Sequence, residues 1–142
     1  MMQELLFYRC AHCGAVHANL WPGAVPACCG APMERLLPNG EKASLDRHLP
    51  YVEIGGDTVT CRMGIEPHEM TQEHSIQWLC LETVRGFQWK RMTLGEDEIP
   101  SAEFKLADDL PTACYGYCNL HGLWKTSIRP TRRNRGKGPK LP

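Results

Sequence analysis

The sequence predicts an all-β fold in two parts: a small cysteine-stapled module, then a β-sandwich or barrel. Three observations predict it. From residue 50 onward, short runs rich in Val, Ile, Trp, Tyr and Phe recur, with turn signals about every eight to twelve residues. No segment repeats its apolar residues with a helical period. Residues 1–37 are dense in Cys, Gly and Pro and carry no stripe of period 2 or 3.6. A segment that short, without an apolar core, needs a staple.

Taken in order, the N-terminal segment reads "YRCAHCG" and then "PACCGAPM". Residues 37–50, "LPNGEKASLDRHLP", read as a linker running into a loop, with Asn39-Gly40 as a turn signal. "YVEIGGDTVTCRMGI" predicts two short strands around a Gly55-Gly56-Asp57 turn. "SIQWLCLETV" sets Ile76, Trp78 and Cys80 on one face against Gln77, Leu79 and Leu81 on the other, which suits a strand covered on both faces. "FQWKRMTL" and "AEFKLA" continue the series, and "ACYGYC" and "GLWKTSI" close it. Trp78, Trp89, Trp124, Tyr115 and Tyr117 read as core and pocket wall, and Cys61 and Cys80 as small core hydrophobes. Cys114 carries no assigned role. The predicted organisation is a metal module at 1–37, a β-domain at 38–129 and a tail at 130–142.

Formal net charge is zero but unevenly spread. From Arg129 onward there are six basic residues and no acid, which leaves ten basic residues against sixteen acids in the rest. The tail "RPTRRNRGKGPKLP" is basic, rich in Pro and Gly, free of aromatics, and reads as solvated disorder. No apolar run approaches the ~18 residues of a membrane span. The start "MMQELLFYRC" lacks the apolar stretch and cleavage site of a signal peptide, so a cytoplasmic protein is expected. In a reducing compartment, eight cysteines read as metal ligands before disulfides.

Cys10 and Cys13 form C-x2-C, and Cys28 and Cys29 are adjacent. Four thiolates in a tetrahedron hold zinc or iron. Adjacent cysteines strain that geometry, and zinc ribbons mostly use a second C-x2-C. The departure favours iron mildly, and spacing alone leaves both metals open. His12 and His17 lie among these cysteines, but four thiolates already fill a site, so both read as exposed loop residues.

The other four histidines are His48, His68, His74 and His121, the last beside Cys118 in C-x2-H spacing. Singly, each reads as an ordinary core or surface histidine. Together they sit at loop-like or strand-edge positions of the β region. Four imidazoles and a thiolate exceed closed tetrahedral zinc. They suit five-coordinate iron, with one position left open opposite a strongly donating sulfur.

The pieces "DRHLPYVEI", "HEMTQEHSIQW" and "YCNLHGLWK" resemble the iron-site motifs of the superoxide reductases. "YRCAHCG" with "CCGAPM" resembles the rubredoxin-like module that precedes them in the desulfoferrodoxins, and the likeness runs in order from about residue 5 to about residue 128. The resemblance implies an immunoglobulin-like β-sandwich carrying a mononuclear non-haem ferrous site, a tetrathiolate iron module ahead of it, and a homodimer. It implies one-electron reduction of superoxide to hydrogen peroxide, with electrons from a rubredoxin-like or other donor. Carried over by motif, the catalytic iron is held by His48, His68, His74, His121 and Cys118, and the second metal, iron or zinc, by Cys10, Cys13, Cys28 and Cys29. The family's Glu-Lys-His reads Asp46-Arg47-His48 here, so Asp46 stands where a glutamate closes the sixth position of ferric iron. Arg47 keeps the guiding charge of the lysine but cannot give up a proton. The family's His-Pro-Met reads His68-Glu69-Met70, a change that bears on loop stiffness.

Two other readings fit parts of the chain. A zinc-stapled binding module could use the basic tail on nucleic acid, but the tail lacks the aromatics of single-strand binders and the acidic remainder repels phosphate. A plain rubredoxin-type electron carrier accounts for Cys10 to Cys29 and leaves the later histidines and Cys118 without a purpose.

Overall fold

A computed structural model of the chain describes residues 5–40, 45–94 and 99–129. The predicted tail, 130–142, lies outside the described residues. Contacts divide the chain into two compact units, Met1–Leu37 and Pro38–Pro142. Both are built of β-strands, and no helix among the described residues is long and apolar enough to cross a membrane.

In the first unit, strands β1 (Leu6–Arg9) and β2 (Val16–Asn19) pair antiparallel. Strands β3 (Ala27–Cys28) and β4 (Ala31–Pro32) form a two-stranded hairpin, and β5 (Glu34–Arg35) joins the free side of β1. Tyr8, Cys10 and Met33 make a small buried cluster, with Leu6, Ala15 and Cys28 packed on it. A cysteine is thus part of that cluster.

The second unit opens with a helical turn, α1 (Leu45–His48), closed by the Leu49 N–H on the Leu45 carbonyl at 2.9 Å. The sequence predicts a loop here, because four residues are too few to show a period. Seven strands follow: β6 (Pro50–Gly55), β7 (Thr58–Met63), β8 (Ile76–Thr83), β9 (Phe87–Arg91), β10 (Ser101–Lys105), β11 (Pro111–Cys118) and β12 (Gly122–Ser127). They form a three-stranded sheet, β10-β7-β6, and a four-stranded sheet, β12-β11-β8-β9. Strand order and crossovers are those of an immunoglobulin-like sandwich.

The core between the sheets holds Val59, Cys61, Met63, Ile76, Leu79, Leu81, Phe104, Cys114, Cys118 and Trp124, all essentially inaccessible. Cys61, Cys80 and Cys114 are fully buried, and burial pushes the Cys80 thiol up to about 12 and that of Cys114 well up, so both are inert thiols. The expected facing of β8 needs correction. The pairing of β8 with β11 shifts register between Tyr117 and Cys118, opposite Trp78 and Ile76. That irregularity returns Ile76 to the core beside Leu79 and Leu81, while Trp78 stacks on Tyr117 at 5.4 Å. Trp89, read as core from the sequence, is 49% exposed because β9 is an edge strand. Gln88 Nε2 donates to the Lys105 carbonyl at 2.7 Å and Lys90 Nζ to that of Glu103, so β9 side chains cap open carbonyls of the other sheet's edge, β10.

Turns match local chemistry. Gly56 takes φ +67° in the two-residue β6–β7 connection. Asn39 takes φ +60°, and its side-chain amide bonds both the carbonyl and the N–H of Lys125, at 3.1 and 2.9 Å, tying the start of this unit to β12. Gly116 permits close approach of the sheets, since a Cβ there would lie 2.1 Å from Met63 Sδ. Gly116→Ala is therefore expected to destabilise the domain by about 1–3 kcal/mol through overpacking, read by thermal or denaturant unfolding. Combined with Met63→Ala, itself a costly change in the core, the two substitutions should cost less together than the sum of the singles. An unchanged midpoint in the single variant would refute this packing argument.

Candidate metal centres

Five donors meet in the second unit. His48 ends α1, His68 lies in the loop after β7, and His74 lies in the turn that leads into β8. Cys118 ends β11, and His121 sits in the three-residue turn to β12, whose exit is Gly122 at φ +80°. One ligand atom from each of these residues lies within 4.8 Å of all the others.

The arrangement of the rings is specific. His48, His68, His74 and His121 form a closed circuit, with successive centroids 4.7, 4.6, 5.0 and 4.8 Å apart and every pair edge to face. The Cys118 sulfur lies 3.6 Å from His68 Nε2 and 3.7 Å from His121 Nδ1. His48 and His68 Nε2 atoms approach to 3.0 Å. Four imidazoles surround a point and one fully buried sulfur reaches it.

Supports outside the ring fix these donors. Trp124 stacks on His48 at 5.2 Å and donates its Nε1–H to the His121 carbonyl at 3.0 Å. The Asn119 side chain accepts from the Ser75 N–H at 3.0 Å and donates to the Glu73 carbonyl at 2.8 Å, while its own N–H bonds the Ser75 carbonyl at 3.3 Å. Asn119, between Cys118 and His121, thereby clamps both residues that flank His74. The His68 Nδ1–H donates to the Glu69 carbonyl at 2.6 Å, which turns Nε2 inward.

The donor set fits a metal ion on three counts. His74 Nε2 is buried without a hydrogen-bond partner. Such an atom costs about 1–3 kcal/mol unless something ligates it. Burial holds His68 down at about 4, so its ring is neutral, the form a metal takes. Burial raises the Cys118 thiol, against backbone N–H groups of His121 and Leu120 that stabilise its thiolate. Five donors exceed tetrahedral zinc and suit a larger, redox-active ion.

The first unit gathers Cys10, Cys13, Cys28 and Cys29, with all four sulfurs within 4.8 Å of one another. The Cys13 N–H points at the Cys10 sulfur at 3.4 Å and is the main cause that lowers that thiol to about 6. Crowding by Cys13, Cys10 and Cys29 raises Cys28 to about 12. Four thiols sharing protons in this way form a site that a cation relieves. The adjacent pair converges through an unusual backbone: Cys29 has φ +53° and Gly30 φ +76° in the two-residue turn between β3 and β4. Positive φ at both central residues is the geometry of a type I′ turn. It swings the Cys29 sulfur to the side of Cys28, 3.9 Å away, where an extended strand would send it to the opposite face. Cys10 is buried, whereas Cys13 and Cys29 are exposed. His12 and His17 are exposed and stand outside the four-sulfur set.

Of the two residues read as guiding the chemistry, Arg47 is exposed on α1, one position before His48. Asp46 lies in the same turn, and its side chain is outside the described residues. The sequence marked Asn39 only as part of a turn signal, and nothing in it pointed to the Asn119 side chain. An Asn between two ligands was the one available signal.

The family model for desulfoferrodoxin matches residues 40–127. A desulfoferrodoxin homolog of Methanothermobacter thermautotrophicus is 37% identical over 127 residues, covering 87% of this chain and 99% of that protein. The desulfoferrodoxin of Syntrophotalea carbinolica is 35% identical, covering 89% of this chain and 98% of its own length. Among solved structures, the superoxide reductase from Treponema pallidum superposes with a TM-score of 0.73 at 31% identity, over 88% of this chain and all of that one.

Proposed function

The chain belongs to the desulfoferrodoxin family, and from that premise we propose that it is a superoxide reductase, converting superoxide, one electron and two protons into hydrogen peroxide. The observation that carries the reading is the closed ring of four imidazoles with a buried thiolate beside it, five donors for a single ion. His48, His68, His74, His121 and Cys118 hold the catalytic iron, and Cys10, Cys13, Cys28 and Cys29 the second metal, iron in this reading. Iron in the first set supplies one-electron chemistry between its ferrous and ferric states.

The chain's own groups do the rest. The Cys118 sulfur supplies negative charge from its buried side, and the N–H groups of Leu120 and His121 temper it. Arg47 draws the anion in, a task the chain needs because residues 1–128 carry sixteen acids against ten basic residues. A guanidinium is a poor proton donor, so water delivers the two protons. Asp46 stands in the family's glutamate position and is assigned the same role, closing the site after turnover. Residues 1–37 act as the electron-relay module and 38–129 as the catalytic domain. The exposed thiols Cys13 and Cys29 leave one side of the relay open to a rubredoxin-like or other donor. Eight free cysteines suit the reducing cytoplasm, and a homodimer follows from the resemblance.

Metal analysis tests the assignment: two irons per chain are expected, and zinc in place of iron at the five-donor set contradicts it. The steering role has its own test. Arg47→Glu is expected to slow reaction with superoxide by about tenfold or more at low salt, with the difference shrinking as salt screens the charge. An unchanged second-order rate would remove Arg47 from the account.

A further inference from the structure

We propose that Glu69 is a positioning residue for two ligands at once, and that its carboxylate charge lowers the reduction potential of the five-donor centre. The inference rests on that set holding iron. Its backbone carbonyl takes the Nδ1–H of His68 at 2.6 Å. Its carboxylate faces the other neighbour: Oε1 lies 3.7 Å from His74 Nδ1, ion-pair distance and longer than a direct hydrogen bond. His74 Nε2, across the same ring, is the buried nitrogen without a partner. The proton of His74 therefore belongs on Nδ1, toward Glu69, and the lone pair on Nε2, toward the site.

The carboxylate is held in place. Thr71 Oγ1 donates to Glu69 Oε2 at 2.9 Å and accepts the His74 N–H at 3.1 Å. The Thr71 N–H in turn bonds the His74 carbonyl at 2.9 Å. Residues 69–74 thus form a small loop in which Thr71 joins the carboxylate to the backbone of the histidine it faces. A carboxylate beyond a ligating histidine fixes its tautomer and strengthens it as a donor. A stronger donor favours the more highly charged ferric state, so the potential falls. The Nδ1–H of His68 meets a carbonyl instead of a carboxylate, and the contact outside the His121 ring is a tryptophan N–H on its own carbonyl. Glu69 is 54% exposed, so solvent screens its charge and the effect is modest.

Redox titration of the iron-loaded full chain, followed at the thiolate-to-ferric absorption band, tests this. Glu69→Gln keeps the shape and the backbone carbonyl, removes the charge, and leaves one acceptor oxygen where the carboxylate has two. It is expected to shift the ferric/ferrous equilibrium about tenfold toward ferrous, which raises the midpoint by about 59 mV. Thr71→Val, which keeps the charge but frees the carboxylate, should shift it less and in the same direction. Glu69→Asp should restore part of the wild-type value. A Glu69→Gln midpoint equal to wild type, with the band intact in both, would overturn the role of Glu69 alone. Absence of the band from the wild-type protein would overturn this inference together with the reading beneath it.

Discussion

Cys118→Ser is expected to abolish the thiolate-to-ferric absorption and to cut superoxide reduction by more than about 100-fold. Loss of an outer-shell partner of a metal ligand already costs about 10–100-fold, and Cys118 is read as a ligand itself. Serine is close in size, so the fold should survive. Its hydroxyl does not ionise near neutral pH, and the strongest electron donor of the set is lost. The site also gives a matched control. Cys114 is four residues earlier on β11, on the same face, and equally buried. It lies among core side chains and outside the five-donor group. Cys114→Ser should leave the band and the rate in place at some cost in stability. If both variants keep the band, the sulfur at 118 is not a ligand.

Loss of the metal from the four-cysteine set is expected to unfold residues 1–37 while the sandwich persists. Among the described residues the first unit buries Leu5, Phe7, Tyr8, Cys10 and Met33, one of them a metal ligand in this reading. Units below about 40 residues rarely hold together without a metal, disulfides or a partner chain. A structural zinc ion contributes about 10–16 kcal/mol of apparent binding free energy in zinc-finger peptides, more than so small a core supplies. Cys29 is also held at positive φ, strain that costs about 1–3 kcal/mol and that ligation offsets. In Cys10→Ser or Cys28→Ser, amide hydrogen exchange should lose protection across β1, β2 and β5 and keep it across β8 and β11. Protection that survives in the first unit would mean the metal is not its staple.

Much of the fold was legible because strand periodicity and turn residues act locally. Gly55-Gly56-Asp57 marks a hairpin wherever it occurs, and the β11–β12 pair is visible as "ACYGYC" and "GLWKTSI". What stayed hidden depends on distant partners. The irregularity at Gln77 that returns Ile76 to the core arises from pairing with β11, and no residue type signals it. A cysteine with positive φ has no sequence signature, so the adjacent pair looked strained where a type I′ turn accommodates it. The five donors were visible as residue types, and Cys118-x2-His121 as a local pair. Their number and type suggested one five-donor site, but spacing could not show the convergence, because it joins α1, two loops and a hairpin across more than seventy positions; resemblance added the rest. Glu69 read as a change in loop stiffness. Its reach to His74 depends on a threonine two residues on and a turn that sequence alone does not give.

Reduction of superoxide, the proposed activity, differs from its dismutation in the yield of peroxide. Counting hydrogen peroxide formed per superoxide consumed, with the iron-loaded protein supplied with reductant, tests it most directly. Reduction takes its electron from the donor and yields one peroxide per superoxide. A yield of one peroxide for every two superoxides, with dioxygen released, would contradict the account.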